Sequence, residues 1–184
     1  MTNDKRFVDF RDEVIESAIR EQLNKVTGGI SLDEMRAIVN LDLNDTDVHD
    51  LTDLTHCHNL EGLALERTRV ATLAPLSSCK ELKLLSINCT EVEDLSPIRE
   101  LVRLRDLFVG KTRVCDISSV SRLHRLRIVS FGWSPVSSIS PLISVLAGGG
   151  LKMGTVYLYN APLCDHSRYV VVPTLRAAGV DVQL

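Results

Sequence analysis

The densest cluster of potential metal ligands in this 184-residue chain is His56, Cys57 and His58. Imidazole nitrogen and thiolate sulfur are the donors a tetrahedral zinc site collects. Three consecutive residues cannot close on one ion when the middle side chain points away from the other two, and the periodicity described below turns Cys57 inward. Cys57 and Cys79 stand 22 residues apart and are expected to be neighbours in space. The five cysteines are odd in number and lie in apolar-patterned segments, which fits reduced, mostly structural thiols better than a disulfide framework. The segment "AGGGLKMG" has the glycines of a phosphate loop but not its Lys-Ser/Thr ending. Thr46, Thr68, Thr90, Thr112 and Ser134 form a column of hydroxyls with no base beside it. No arrangement of Ser, Cys and His yields a nucleophile with its base. The expectation is therefore a chain without catalytic residues, metal or cofactor, and not an enzyme.

The elements carrying these residues follow from an internal repeat. Ile38, Leu60, Leu82, Leu104 and Leu126 recur every 22 residues. Six further apolar columns run in the same register through all five units, beginning at Leu41, Leu43, Val48, Leu51, Leu54 and Cys57. Within each unit the "LxL" segment alternates like a short strand, its two aliphatics on one face. The remainder must bring the chain back. Pro75, Pro97 and Pro141 suit the first position of a helical turn, where a missing N–H costs nothing. A coil of this size buries its interior only by stacking on its neighbours. The hydroxyl column then lies where the chain leaves the strand, and is expected to satisfy backbone groups of adjacent turns.

Composition agrees with one globular unit: 45% of residues are hydrophobic and 24% charged. No apolar run is long enough for a membrane helix, and "MTNDKRFVDF" has no signal-peptide core, so a cytoplasmic location is expected. The net charge of −3 conceals an asymmetry. Residues 31–61 hold eight acids against Arg36, whereas residues 99–127 hold eight bases against Glu100, Asp106 and Asp116.

With its columns aligned, the chain resembles leucine-rich-repeat proteins of the internalin-like, 22-residue type. The units "LALERTRVATLAPLSSCKEL" and "LFVGKTRVCDISSVSRLHRL" carry the resemblance, with Thr where family units often have Asn. It implies an α/β fold: a right-handed solenoid with a parallel sheet on its concave side. A helical N-terminal cap is expected over 1–37, repeats over 38–163, and a helix-strand C-terminal cap over 164–184. In the first cap Val14, Ala18, Ile19, Leu23 and Val26 share a helical face that Gly28 and Gly29 end, and Ser31 with Glu34 has the spacing of a capping box. In the last, Asp165 is placed to cap a helix, Gly179 to follow it, and Val180 and Val182 to close the sheet. Ala161 replaces the hydroxyl of the ladder, and "LISVLAGGGLKMG" lengthens the fifth return. With both ends resembling caps, the chain is expected to be one whole domain.

Such a solenoid meets partners on its open strand face. The N-terminal units present small and polar residues there: Asn40, Asp42, Asn44, Asp45, Gly62, Ala64, Glu66 and Arg67. The C-terminal units present Leu84, Asp106, Phe108, Lys111, Ile128, Trp133, Tyr157 and Tyr159, including four of the chain's eight aromatics. Clustered exposed aromatics mark a protein interface. The alternative is that Phe108 or Ile128 folds down at a strand edge, or that the C-terminal cap covers both tyrosines. A second candidate is a basic edge of Arg103, Arg105, Arg125 and Arg127, with Arg99 and Arg122 nearby, suited to an acidic protein or a phosphate backbone, or simply a solvated rim. The negative net charge argues against nucleic acid. The function expected is a non-enzymatic module binding a protein partner; the alternative is a regulatory or substrate-recognition subunit of an enzyme whose catalytic chain is another polypeptide.

Overall fold

The computed structural model describes residues 7–184, so residues 1–6 of the expected N-terminal cap lie outside the described residues. Seven three-residue strands bond in chain order into one parallel sheet. They are β1 Asn40–Asp42, β2 Gly62–Ala64, β3 Leu84–Ser86, β4 Asp106–Phe108, β5 Ile128–Ser130, β6 Thr155–Tyr157 and β7 Asp181–Gln183. Leu41 pairs with Leu63, Leu63 with Leu85, Leu85 with Leu107 and Leu107 with Val129, so the spatial register is the sequence repeat. Val129 then pairs with Val156, which places the longer fifth return in the "AGGGLKMG" stretch. Parallel neighbours require crossovers, and these are right-handed for twisted strands.

The returns are 3₁₀ turns at Thr52–His56, Ala74–Ser78, Ser96–Ile98 and Ser118–Arg122, and helix α3, Pro141–Ala147. Pro75, Pro97 and Pro141 stand in the first turns as expected. Every residue of the seven apolar columns is buried in all five units, in one continuous core. Cys57 points into it while His58 is exposed, so the His-Cys-His triplet diverges.

The hydroxyl column behaves somewhat differently from expectation. Thr46, Thr68, Thr90 and Thr112 each donate to the carbonyl three residues back in their own coil, at 2.6–3.0 Å. The threonine thus closes its own turn. Only Ser134 reaches the adjacent coil, donating to the Val109 carbonyl at 2.6 Å and accepting from the Thr112 N–H at 3.0 Å.

At the N-terminal end, helix α1, Glu13–Gln22, is capped by Asp12, whose carboxylate accepts from the N–H groups of Val14 and Ile15. It buries Ile15 and Ile19, and Val14, Ala18 and Leu23 pack partly against the core. The helix stops well before Gly28, contrary to expectation. Asn24 takes the left-handed conformation at φ 49°, the Lys25 N–H reaches back to the Arg20 carbonyl, and Val26 is left 91% exposed. Asn, like Gly, can terminate a helix in this way. Helix α2, Leu32–Arg36, has the expected capping box from Ser31 and Glu34. The cap is tied to the repeats by Asp53, a buried carboxylate accepting from the N–H groups of Arg11 and Asp12.

At the other end Asp165 lies inside the first helical turn and caps nothing. The chain enters the helix through Cys164, whose N–H donates to the Ser137 carbonyl. A wide π-type turn, Ser167–Val171, precedes helix α4, Val172–Ala177. Pro173 explains the widening, since it has no N–H for the carbonyl four residues back. Gly179 follows α4 at φ +84°, and Val180 and Val182 are buried where β7 joins β6, as the sequence indicated.

Candidate functional site

Three residues past each of the first six strands stands a residue held in the left-handed region. Asp45, Arg67, Cys89, Lys111, Trp133 and Asn160 all have φ between 54° and 59°. The conformation lets the N–H of this residue extend the sheet ladder while the chain turns inward: Lys111 donates to the Gly132 carbonyl at 2.9 Å and Trp133 to that of Tyr159 at 2.7 Å. This column was missed in the sequence. Asp45 and Asn160, types that tolerate the conformation, were the available signal, hidden by Arg, Cys, Lys and Trp at the same place.

The turn raises its side chains at the C-terminal end of the strands. Trp133 is 54% exposed, its ring 5.9 Å from that of Tyr159, and Tyr159 lies 6.0 Å from Tyr157. Lys111 Nζ stands 5.4 Å from the centre of the Trp133 ring, within cation–π range. Gly110 and Gly132 keep the neighbouring floor low. A Cβ at Gly132 would come within 3.2 Å of the Tyr159 carbonyl oxygen. The result is a shallow depression of about 250 Å³ bordered by Glu66, Asn88, Lys111 and Trp133. Glu66 and Asn88 are already engaged in the sheet, Glu66 accepting from Ser86 and Asn88, and the Asn88 amide oxygen from the Gly110 N–H.

The other expected surface residues fall in two rows. Leu84, Asp106 and Ile128 are in register at the strand starts; Phe108 and Tyr157 lie in the row at the strand ends, with Ser130 between them. Leu84 is exposed and the other four are half-buried. Lys111, Trp133, Tyr157 and Tyr159 are thus brought together, whereas Leu84 stands apart at the strand starts. Burial pushes the Asp106 carboxyl up, opposed by Arg127 and Arg105.

The basic edge does not stay whole. Arg103 pairs with Glu81. Arg105, Arg125 and Arg127 gather around a depression with Lys152. Arg99 and Arg122, expected nearby, lie instead on the 3₁₀ side against Ser96 and Ser118, and both pair with Glu100.

The thiols divide by environment. Cys57 and Cys79 are buried, and desolvation pushes the Cys57 thiol up to about 12, which suppresses its thiolate. Cys115 and Cys164 are exposed, so these two are not the packed structural thiols the sequence suggested. Among the described residues no group of His, Cys, Asp and Glu has the geometry of a metal site, and no helix is long and apolar enough to cross a membrane.

No protein-family model and no curated protein matches the chain by sequence. Solved structures do match it. Internalin C2 of Listeria monocytogenes aligns over 94% of this chain and 83% of its own, with a TM-score of 0.67 and 18% identity. Internalin F of the same species aligns over 95% of this chain and 63% of its own, with a TM-score of 0.54 and 18% identity. A leucine-rich-repeat protein of Leptospira interrogans aligns over 83% of this chain and 38% of its own, with a TM-score of 0.68 and 19% identity. At these identities the likeness is one of fold, and by its fold the chain is a leucine-rich-repeat solenoid of the internalin kind.

Proposed function

We propose that the chain is a non-enzymatic protein-interaction module whose partner docks on the C-terminal half of the open sheet face, anchored by Trp133. The observation that carries this reading is a large, exposed aromatic at a backbone position suited to Asn, Asp or Gly. Trp133 adds little to the core, and it occupies a conformation that disfavours it. Lys111 and Tyr159 flank the ring and Tyr157 backs Tyr159, contacts that restrict the ring and lower the entropy lost on binding. Aromatic anchors ringed by polar groups are the usual centre of a protein interface. The cytoplasmic location expected from the sequence belongs to this proposal and not to the fold.

The test is affinity capture from native lysate with the wild-type chain beside Trp133→Asn and Phe108→Asp, each shown by circular dichroism to be folded. A protein held by the wild type and lost by both variants supports the reading. Capture of the same protein by all three overturns it. Should the captured protein be an enzyme, the module is its recognition subunit.

A further inference from the structure

Along the solenoid, bases pair with acids one coil back. Arg67 pairs with Asp45, Arg69 with Asp47, Lys83 with Glu61, Arg103 with Glu81, Arg113 with Glu91 and Arg122 with Glu100. Two of these ladders run on without a carboxylate. The row of Glu61 and Lys83 continues to Arg105 and Arg127, and the row of Glu81 and Arg103 continues to Arg125. Among the described residues the side chains of Arg105, Arg125, Arg127 and Lys152 form no ion pair. These four line one depression of about 370 Å³, with His124 and the Gly149–Gly150 backbone completing its wall.

The wall is the glycine-rich insertion in the fifth return. A Cβ at Gly148 would lie 2.0 Å from His124 Nδ1, one at Gly150 2.9 Å from the His124 carbonyl oxygen, and one at Gly154 2.2 Å from that of Arg127. Only glycine lets the loop rest directly on the 124–127 backbone. Leu151 is buried, its N–H donates to the Leu126 carbonyl at 2.6 Å, and the Thr155 N–H donates to that of Arg127 at 2.8 Å. The backbone at Lys152 is thereby held beside the arginines, its side chain exposed. Asp106, on the open sheet face, feels Arg127 and Arg105 but forms no ion pair with them and does not line the depression.

Four basic side chains around one depression repel one another, and the single nearby carboxylate, Asp106, which feels Arg127 and Arg105, offsets only part of that repulsion. Arginine forks match a tetrahedral oxyanion through paired N–H groups, and a lysine adds a point charge. We propose that this depression is a binding site for a phosphate group, either the free ion or a phosphate monoester carried on a larger molecule. It opens at the strand starts, at the opposite end of the strands from Trp133.

The test is calorimetric titration and thermal unfolding of the chain with inorganic phosphate and with phosphoserine, in chloride buffer at fixed ionic strength. The Arg105→Gln, Arg127→Gln double variant and Arg67→Gln, in a paired ladder far from the depression, are measured in parallel. Saturable one-site binding with a rise in melting temperature is expected for at least one probe. The double variant should bind about tenfold more weakly or worse, while melting no lower than wild type in chloride alone; Arg67→Gln should bind as wild type does. Tighter binding of phosphoserine identifies the ester, and equal or weaker binding the free ion. Absence of saturable binding to both probes, or binding that the double variant retains in full, would overturn the proposal.

Discussion

At φ 59°, Trp133 holds a backbone conformation in which an L side chain crowds the carbonyl, at a cost of about 1–2 kcal/mol. Its cation–π contact with Lys111 is worth about 0.5–1 kcal/mol at an exposed site, and its tilted ring contact with Tyr159 about 0.5–1.5 kcal/mol. The two sides nearly cancel. Trp133→Asn, which tolerates the left-handed region, is therefore expected to change unfolding free energy in urea by less than about 0.5 kcal/mol, as a surface substitution does. Removal of a buried tryptophan costs about 3–5 kcal/mol. A loss of that size would make Trp133 a packing residue and remove the argument for an anchor.

Among the elements, the short helix α2 depends most on its cap. Five residues are too few for a helix to persist on propensity alone. The Glu34 carboxylate accepts from the Ser31 N–H and from Lys25 Nζ, and these bonds, the lysine first, hold its pKa at about 2 against an ordinary 4.5. Because the folded pKa is the lower one, the stabilisation is whole above pH 4.5 and is lost as pH falls towards about 2. Carboxyl titration by nuclear magnetic resonance should place the Glu34 midpoint near 2, and Lys25→Met should move it back towards 4.5. A midpoint near 4.5 in the wild type would show that the ion pair does not persist in solution. The strands need no such device, since each is held by ladders on both sides or by one ladder and a cap.

For the whole molecule, stability is a sum over stacked coils, each touching its neighbours. Leu85, fully buried in β3, lies between two coils, and Leu85→Ala should cost about 2–5 kcal/mol in urea unfolding. Leu41, in the first coil, has a neighbouring strand on one side only. Leu41→Ala is expected to cost less and to loosen the N-terminal end first, visible as faster amide exchange in β1 than in β4. Equal exchange along the sheet would show that the solenoid unfolds as one unit.

The architecture was legible because a repeat states each rule five times. Seven apolar columns at a fixed spacing leave a stacked coil as the one arrangement that buries them all, and the prolines and the Ser31–Glu34 pair marked where turns and a helix begin. Where a rule is stated only once, the sequence was a weaker guide: Asn24 ended α1 before the glycines, and Asp165 fell inside its helix instead of capping it. The candidate surfaces divide in the same way. That Phe108 and Tyr157 face outward followed from alternation along each strand. The ring contact of Trp133 with Tyr159 and the meeting of three arginines with Lys152 required the tertiary structure, because they depend on where the longer fifth return sets the next coil, and the left-handed column that lifts Trp133 was hidden by its mixed residue types. A period fixes which residues are inside, whereas contacts across an insertion depend on the path of a loop that has no period.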